Sequence, residues 1–121
     1  MDKKGVKELL NYILFSIRLI NDRFKNISKS EEFVQDATGL EKLDAISMRI
    51  QTIGEAIKNI LKRNNSILTE VKEKGYWNNI VKFREIVSHH YIDIDAEIVF
   101  DICKNELKEL EEKIREAEKN L

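Results

Sequence analysis

The chain runs for 121 residues without one proline, and no other feature restricts its fold as much. Proline ends or kinks a helix by removing a backbone donor and crowding the preceding turn. A chain free of that stop can run in long helices, and its aliphatic residues are spaced for them. Val6, Leu10, Ile13, Ile17, Ile20, Phe24 and Ile27 recur at steps of three and four, which draws one apolar stripe along a helix over about residues 3–28.

Ser28 or Ser30, ahead of Glu31 and Glu32, offers an N-cap with acidic residues in the first turn, and Gly39 interrupts the pattern soon afterwards. A short helix or turn is expected there. From Leu40 onward Leu43, Ile46, Ile50, Ile53, Ile57 and Ile60 or Leu61 define a second long helix that ends near Asn64 and Asn65. Gly54 falls in its middle, where glycine costs about 1 kcal/mol against alanine, so close packing of another helix is the expected compensation. Residues 66–74 are expected to form a short helix closed by Gly75, with Tyr76, Ile80, Phe83 and Val87 facing inward from a third main helix. Ile92-Asp93-Ile94-Asp95 supplies a break and an N-cap, and Val99, Ile102, Leu107, Leu110, Ile114 and Ala117 mark a final helix. The expected fold is all-α: an up-and-down four-helix bundle with one or two additional short helices, in a single domain over residues 1–121.

Charge narrows the function. With 21 basic and 22 acidic residues the net charge is −1, so no broad positive field attracts nucleic acid or an anionic membrane. Any RNA contact must be local, and DNA is not an expected partner. The Glu- and Lys-rich last third, including Glu109, Glu111, Glu112, Lys113, Glu116 and Glu118, reads as a solvated helix face. A lone Cys103 cannot form an internal disulfide, and the opening Met-Asp-Lys-Lys lacks a signal-peptide pattern, which together suggest a reduced, cytoplasmic setting. Apolar runs of only a few residues fall far short of the roughly 20 that span a bilayer.

The chemistry concentrates between Trp77 and Tyr91, where both histidines lie within one helical turn of each other and near Arg84. On a straight helix, at about 100° per residue, Tyr91 falls roughly 20° from Arg84, His89 about 140° away and His90 about 120° the other way. Arg84 and Tyr91 thus share a face bordering Ile80, Phe83 and Val87. His89 joins them where the helix loosens or ends, and the break at residues 92–95 offers such a place. Adjacent histidines on a helix point apart and have no third ligand nearby, so neither a metal nor another cofactor is expected. Taken alone, Arg84 would pair with an acidic neighbour, Trp77 and Tyr91 would pack, and Arg49 and Glu55 would be surface charges or members of an interhelical ion pair.

Arg84, four further residues, His89, one residue and then Tyr91 make up a pattern that resembles the signature of the HEPN superfamily, within it the HepT-like proteins. Trp77, Phe83, Asp93, Arg49, Gly54, Glu55 and Ala56 are similar to that family's usual surroundings, so the resemblance covers most of the chain. It implies the toxin of a type VII toxin–antitoxin system, a ribonuclease that cleaves RNA without a metal by attack of the 2′-hydroxyl on the adjacent phosphate. Arg84 and His89 would be the catalytic pair, with His90 the alternative histidine and Ser88 and Glu55 in support. The resemblance also implies a homodimer that joins two copies of the motif, and an MntA-like nucleotidyltransferase antitoxin that attaches AMP to Tyr91. Glu85 departs from the family, where many relatives carry an amide, and a carboxylate beside Arg84 would compete with phosphate for the guanidinium. The competing reading is a non-catalytic helical module that docks the nucleotidyltransferase.

Overall fold

A computed structural model describes residues 3–87 and 93–121, with side chains from Gly5 onward. Ser88, His89, His90, Tyr91 and Ile92 lie outside the described residues, and with them four of the candidate site residues. Every regular element described is helical. The order is α1 (Lys3–Phe24), a 3-10 turn (Ser30–Phe33), α2 (Ala37–Arg63), α3 (Asn65–Thr69), α4 (Lys74–Val81), α5 (Phe83–Val87), α6 (Ala96–Asp101), a π-helical turn (Ile102–Glu106) and α7 (Leu107–Lys119). With α6, the π turn and α7 following one another without interruption, the arrangement is the up-and-down bundle expected, its third arm broken into short helices.

The apolar stripes meet in one core. Val6, Leu10, Ile13, Ile17 and Ile20 of α1 are buried against Leu43, Ile46, Ile50, Ile53, Ile57 and Ile60 of α2, and Val99, Ile102, Leu107, Leu110, Ile114 and Ala117 close it from the C-terminal arm. Each large aliphatic side chain withdrawn from water contributes roughly 1.5–3 kcal/mol, so helix periodicity alone accounts for most of the folding drive. Cys103 joins this core, and burial pushes its thiol up to about 12, leaving it neutral and unreactive at ordinary pH. Among the described residues no helix is long and apolar enough to cross a membrane.

The connections depart from the sequence reading in instructive ways. Helix α1 stops at Phe24 rather than near residue 28, because the Ile27 amide turns back to the Phe24 carbonyl at 2.9 Å and the Arg23 guanidinium takes the Leu19 carbonyl at 3.2 Å. Phe24 then packs on Phe33 and edge-on to Phe100. Neither serine caps the next turn. Its N-cap is Lys29, and the capping runs backwards, with the Ser28 amide donating to Glu32 Oε1 at 2.7 Å.

Nor does Gly39 interrupt anything: α2 begins at Ala37, capped by Asp36, whose Oδ1 accepts from the Gly39 amide at 2.7 Å. A Cβ on Gly39 would collide with the backbone carbonyl of Glu32 and press on that of Phe33. Gly75, expected to close the preceding helix, is instead the second residue of α4, and a Cβ there would meet nothing within 4 Å. The two glycines should therefore respond oppositely to alanine. Gly39→Ala is expected to cost about 1–3 kcal/mol through overpacking, and Gly75→Ala to stabilise by up to about 1 kcal/mol through helix propensity. Urea unfolding midpoints measure both; equal shifts of the same sign would show that the Glu32 contact does not decide them.

The third arm splits at Lys82, and its anchor is Trp77 rather than Tyr76. Trp77 is fully buried, and its indole N–H donates to the carbonyls of Leu68 (2.9 Å) and Lys72 (3.1 Å). Those carbonyls belong to the last turn of α3 and to the turn that follows it, so the indole fastens α4 under both. Tyr76 is only half-buried, edge-on to Trp77 with the Lys72 ammonium 5.7 Å from its ring centre. Ile80, Phe83 and Val87 are buried as expected. The final helix starts where its sequence said: Asp95 Oδ1 accepts from the amides of Glu97 (3.0 Å) and Ile98 (3.1 Å).

Candidate functional site

Gly54 determines where the site forms. In the middle of α2 its missing side chain admits the end of α4 so closely that a Cβ would lie 3.2 Å from the carbonyl oxygens of both Ile80 and Val81. The expected crowding around Gly54 is present, and its partner is the backbone that leads into α5. The next residue along α2 is Glu55, and three residues beyond Val81 stands Arg84. Close packing at the glycine therefore brings a carboxylate and a guanidinium from different helices within reach of each other.

They meet as an ion pair, Arg84 Nη1 donating to Glu55 Oε1 at 2.6 Å. The side chains keep 61% and 45% of their exposure, so solvent screens the pair and its contribution to stability is below about 1 kcal/mol. What the pair does is orient. A guanidinium tied at one nitrogen presents its remaining plane in a defined direction, suited to a bidentate grip on phosphate. The carboxylate that meets Arg84 thus comes from α2, not from the neighbouring Glu85 that the sequence brought to notice.

The Asp95 amide donates to the Val87 carbonyl at 3.0 Å, so the last described residue of α5 and the N-cap of α6 are fastened together, with Arg84 one turn back along α5. The Asp95 cap is the one expected from the sequence.

Arg49, read from sequence as a surface charge or a member of an interhelical ion pair, is held instead by side chains of α1. Its Nη1 donates to the Tyr12 hydroxyl at 3.3 Å, Tyr12 donates to Thr52 Oγ1 at 2.8 Å, and Thr52 donates to the Arg49 carbonyl at 3.0 Å. The Arg49 guanidinium lies 5.9 Å from the Tyr12 ring centre and 5.7 Å from that of Phe15, with Arg18 5.3 Å from Phe15. Burial raises the Tyr12 hydroxyl, but the Thr52 hydrogen bond and the Arg49 charge outweigh it, and the pKa falls below its ordinary value. This cation–aromatic cluster on α1 and α2 escaped the sequence reading. The signal was the i, i+3 run Tyr12, Phe15, Arg18 along one side of α1.

The described residues thus form a helical bundle that presents an arginine on a short helix, paired with a carboxylate from the long helix beside it. A family model described as Ribonuclease HepT-like matches residues 13–117. The chain belongs to the HepT-like ribonuclease family. It is 32% identical over 122 aligned residues to a "Putative RNase" of Methanocaldococcus jannaschii, covering 98% of this chain and 94% of the relative. It is 30% identical to a second protein of that organism, "Gamma-glutamylcyclotransferase and putative RNase", covering 93% of this chain but 47% of the longer relative. A "Putative RNase" of Caldanaerobacter subterraneus subsp. tengcongensis is 29% identical, with 93% and 94% covered. No solved structure matches the chain.

Proposed function

We propose that the chain is an endoribonuclease toxin whose homodimer gathers two copies of Arg84 and His89 around one scissile phosphate, without a metal. The observation that carries this reading is the Arg84–Glu55 pair, a phosphate-gripping group oriented across the Gly54 contact in a chain of the HepT-like ribonuclease family. Arg84 binds the non-bridging oxygens and offsets the charge that builds on them. One imidazole takes the proton of the ribose 2′-hydroxyl, whose oxygen bonds to phosphorus as the P–O5′ bond breaks. A second imidazole returns a proton to the departing O5′, which leaves a cyclic phosphate. A histidine with a pKa near 6.5 suits either step. Two such groups acting at once is the chemical reason for the dimer, which also concentrates positive charge in a chain of net charge −1. His90 is the alternative for His89, and Ser88 a supporting donor. AMP attached to Tyr91 by an MntA-like nucleotidyltransferase would silence the cleft by bulk and charge. The cell compartment proposed is the cytoplasm.

The test is incubation of purified dimer with single-stranded RNA in excess EDTA, with end-group analysis of the products. Cyclic phosphate ends that vanish in the His89→Ala protein are the expected result. Equal residual nicking by wild type and variant would instead favour the non-catalytic docking module.

Glu55 adds a second expectation. Phosphate must displace or share the carboxylate, so Glu55→Gln is expected to lower the KM for RNA, and the loosened guanidinium to lower kcat as well. Steady-state kinetics separate the two effects, and an unchanged KM would show that Glu55 does not compete with substrate.

A further inference from the structure

A second feature of α5 lies away from the ion pair. Ile86 is 43% exposed and, with Phe83, opens onto a groove between α5 and the α6–π turn arm. The groove has a volume of about 460 Å³ and is open to solvent. Among the described residues its apolar lining is Phe83, Ile86, Ile98 and Ile102, and its polar lining is Glu97, Asp101 and Glu106, with no lysine or arginine. At about 100° per residue Ile86 and Phe83 fall some 60° apart on α5, whereas Arg84 points 100° or more from both. The groove and the phosphate-gripping residue therefore use different sides of one short helix. The π turn supplies Ile102 and Glu106 to the lining, and such wide turns are frequent at functional positions. Asp101 Oδ1 is held by the Asn105 amide at 2.7 Å, which fixes one carboxylate of the rim.

We infer that this groove docks a segment of a partner protein that inserts an apolar side chain flanked by lysine or arginine. Charge decides the occupant. Three carboxylates around an apolar floor repel the RNA backbone and favour a cationic, apolar polypeptide. The groove is also too open to enclose a small molecule, whereas a segment of chain can run along it. A second copy would have to bring a basic, apolar surface of its own, and self-association is therefore one of the outcomes tested. Docking here touches α5 without covering Arg84, so a bound partner can act on the helix that carries the arginine. The inference does not depend on the chain cleaving RNA.

The probes are two short fluorescein-labelled peptides of amphipathic helical spacing, one of leucine and lysine and one of leucine and glutamate, titrated into the full chain by anisotropy. Wild type is expected to bind the lysine peptide roughly ten-fold or more tightly than the glutamate peptide. The exposed double change Glu97→Lys with Asp101→Lys is expected to reverse that order, and Ile86→Ser to weaken lysine-peptide binding several-fold with an unaltered thermal midpoint. Equal binding of the lysine peptide by wild type and the charge-reversed protein would overturn the inference. So would a loss of self-association on sedimentation of Ile86→Ser, which identifies a second copy as occupant, or weaker binding of single-stranded RNA by that variant.

Discussion

Replacing Arg84 with alanine is expected to slow RNA cleavage by roughly 10²–10³-fold, the range for removing one preorganised donor from a developing anion. The fold should not notice. The Arg84 side chain is 61% exposed, and its pair with Glu55 is a solvent-screened one, so the unfolding midpoint should move by less than about 1 kcal/mol equivalent. Lysine at the same position keeps the charge but loses the planar fork, and is expected to recover only a small part of the rate. Single-turnover cleavage of an end-labelled RNA measures all three proteins. An Arg84→Ala protein of wild-type rate would remove the guanidinium from the mechanism.

The largest effect on stability is expected at Trp77. Truncation to alanine removes the largest fully buried side chain and both indole hydrogen bonds, at a cost of about 3–5 kcal/mol. That is a large share of the roughly 5–15 kcal/mol that holds a domain of this kind folded. Trp77→Phe keeps most of the volume but leaves the Leu68 and Lys72 carbonyls without the indole donor, and should cost about 1–3 kcal/mol. Urea denaturation reads both, and a cost below 1 kcal/mol for the alanine variant would mean that α4 is fastened by something other than the indole. Because α4 leads directly into α5, activity should fall with stability in this series, which distinguishes it from Arg84→Ala.

Periodicity carried most of the fold. The stripes of α1 and α2 were legible because from Val6 to Ile20 and from Leu43 to Ile60 each marked aliphatic residue sits at a step of three or four and is buried; the last arm keeps that spacing except for the five-residue step from Ile102 to Leu107 at the π turn, and the Asp95 cap was legible because its side chain acts within three residues. What escaped depends on contacts between distant segments. Gly39 looks like a helix breaker until Glu32 and Phe33 are seen packed on it, and Tyr76 and Trp77 are equally plausible anchors until the turn at Leu68 supplies carbonyls to only one. The same holds for the site. Arg84, Gly54 and Glu55 were each singled out from sequence, but the contact of Gly54 with Ile80 and Val81, which sets Glu55 against Arg84, is a packing event. Arg49 shows the same dependence, since sequence reads it as a surface charge or an ion-pair member and the aromatic rings of α1 hold it.

Whether cleavage needs two chains can be read from activity per chain as the protein is diluted, alongside its mass in solution by sedimentation. A shared cleft requires that specific activity fall in step with dissociation of the dimer. Undiminished cleavage by fully dissociated monomers would contradict it.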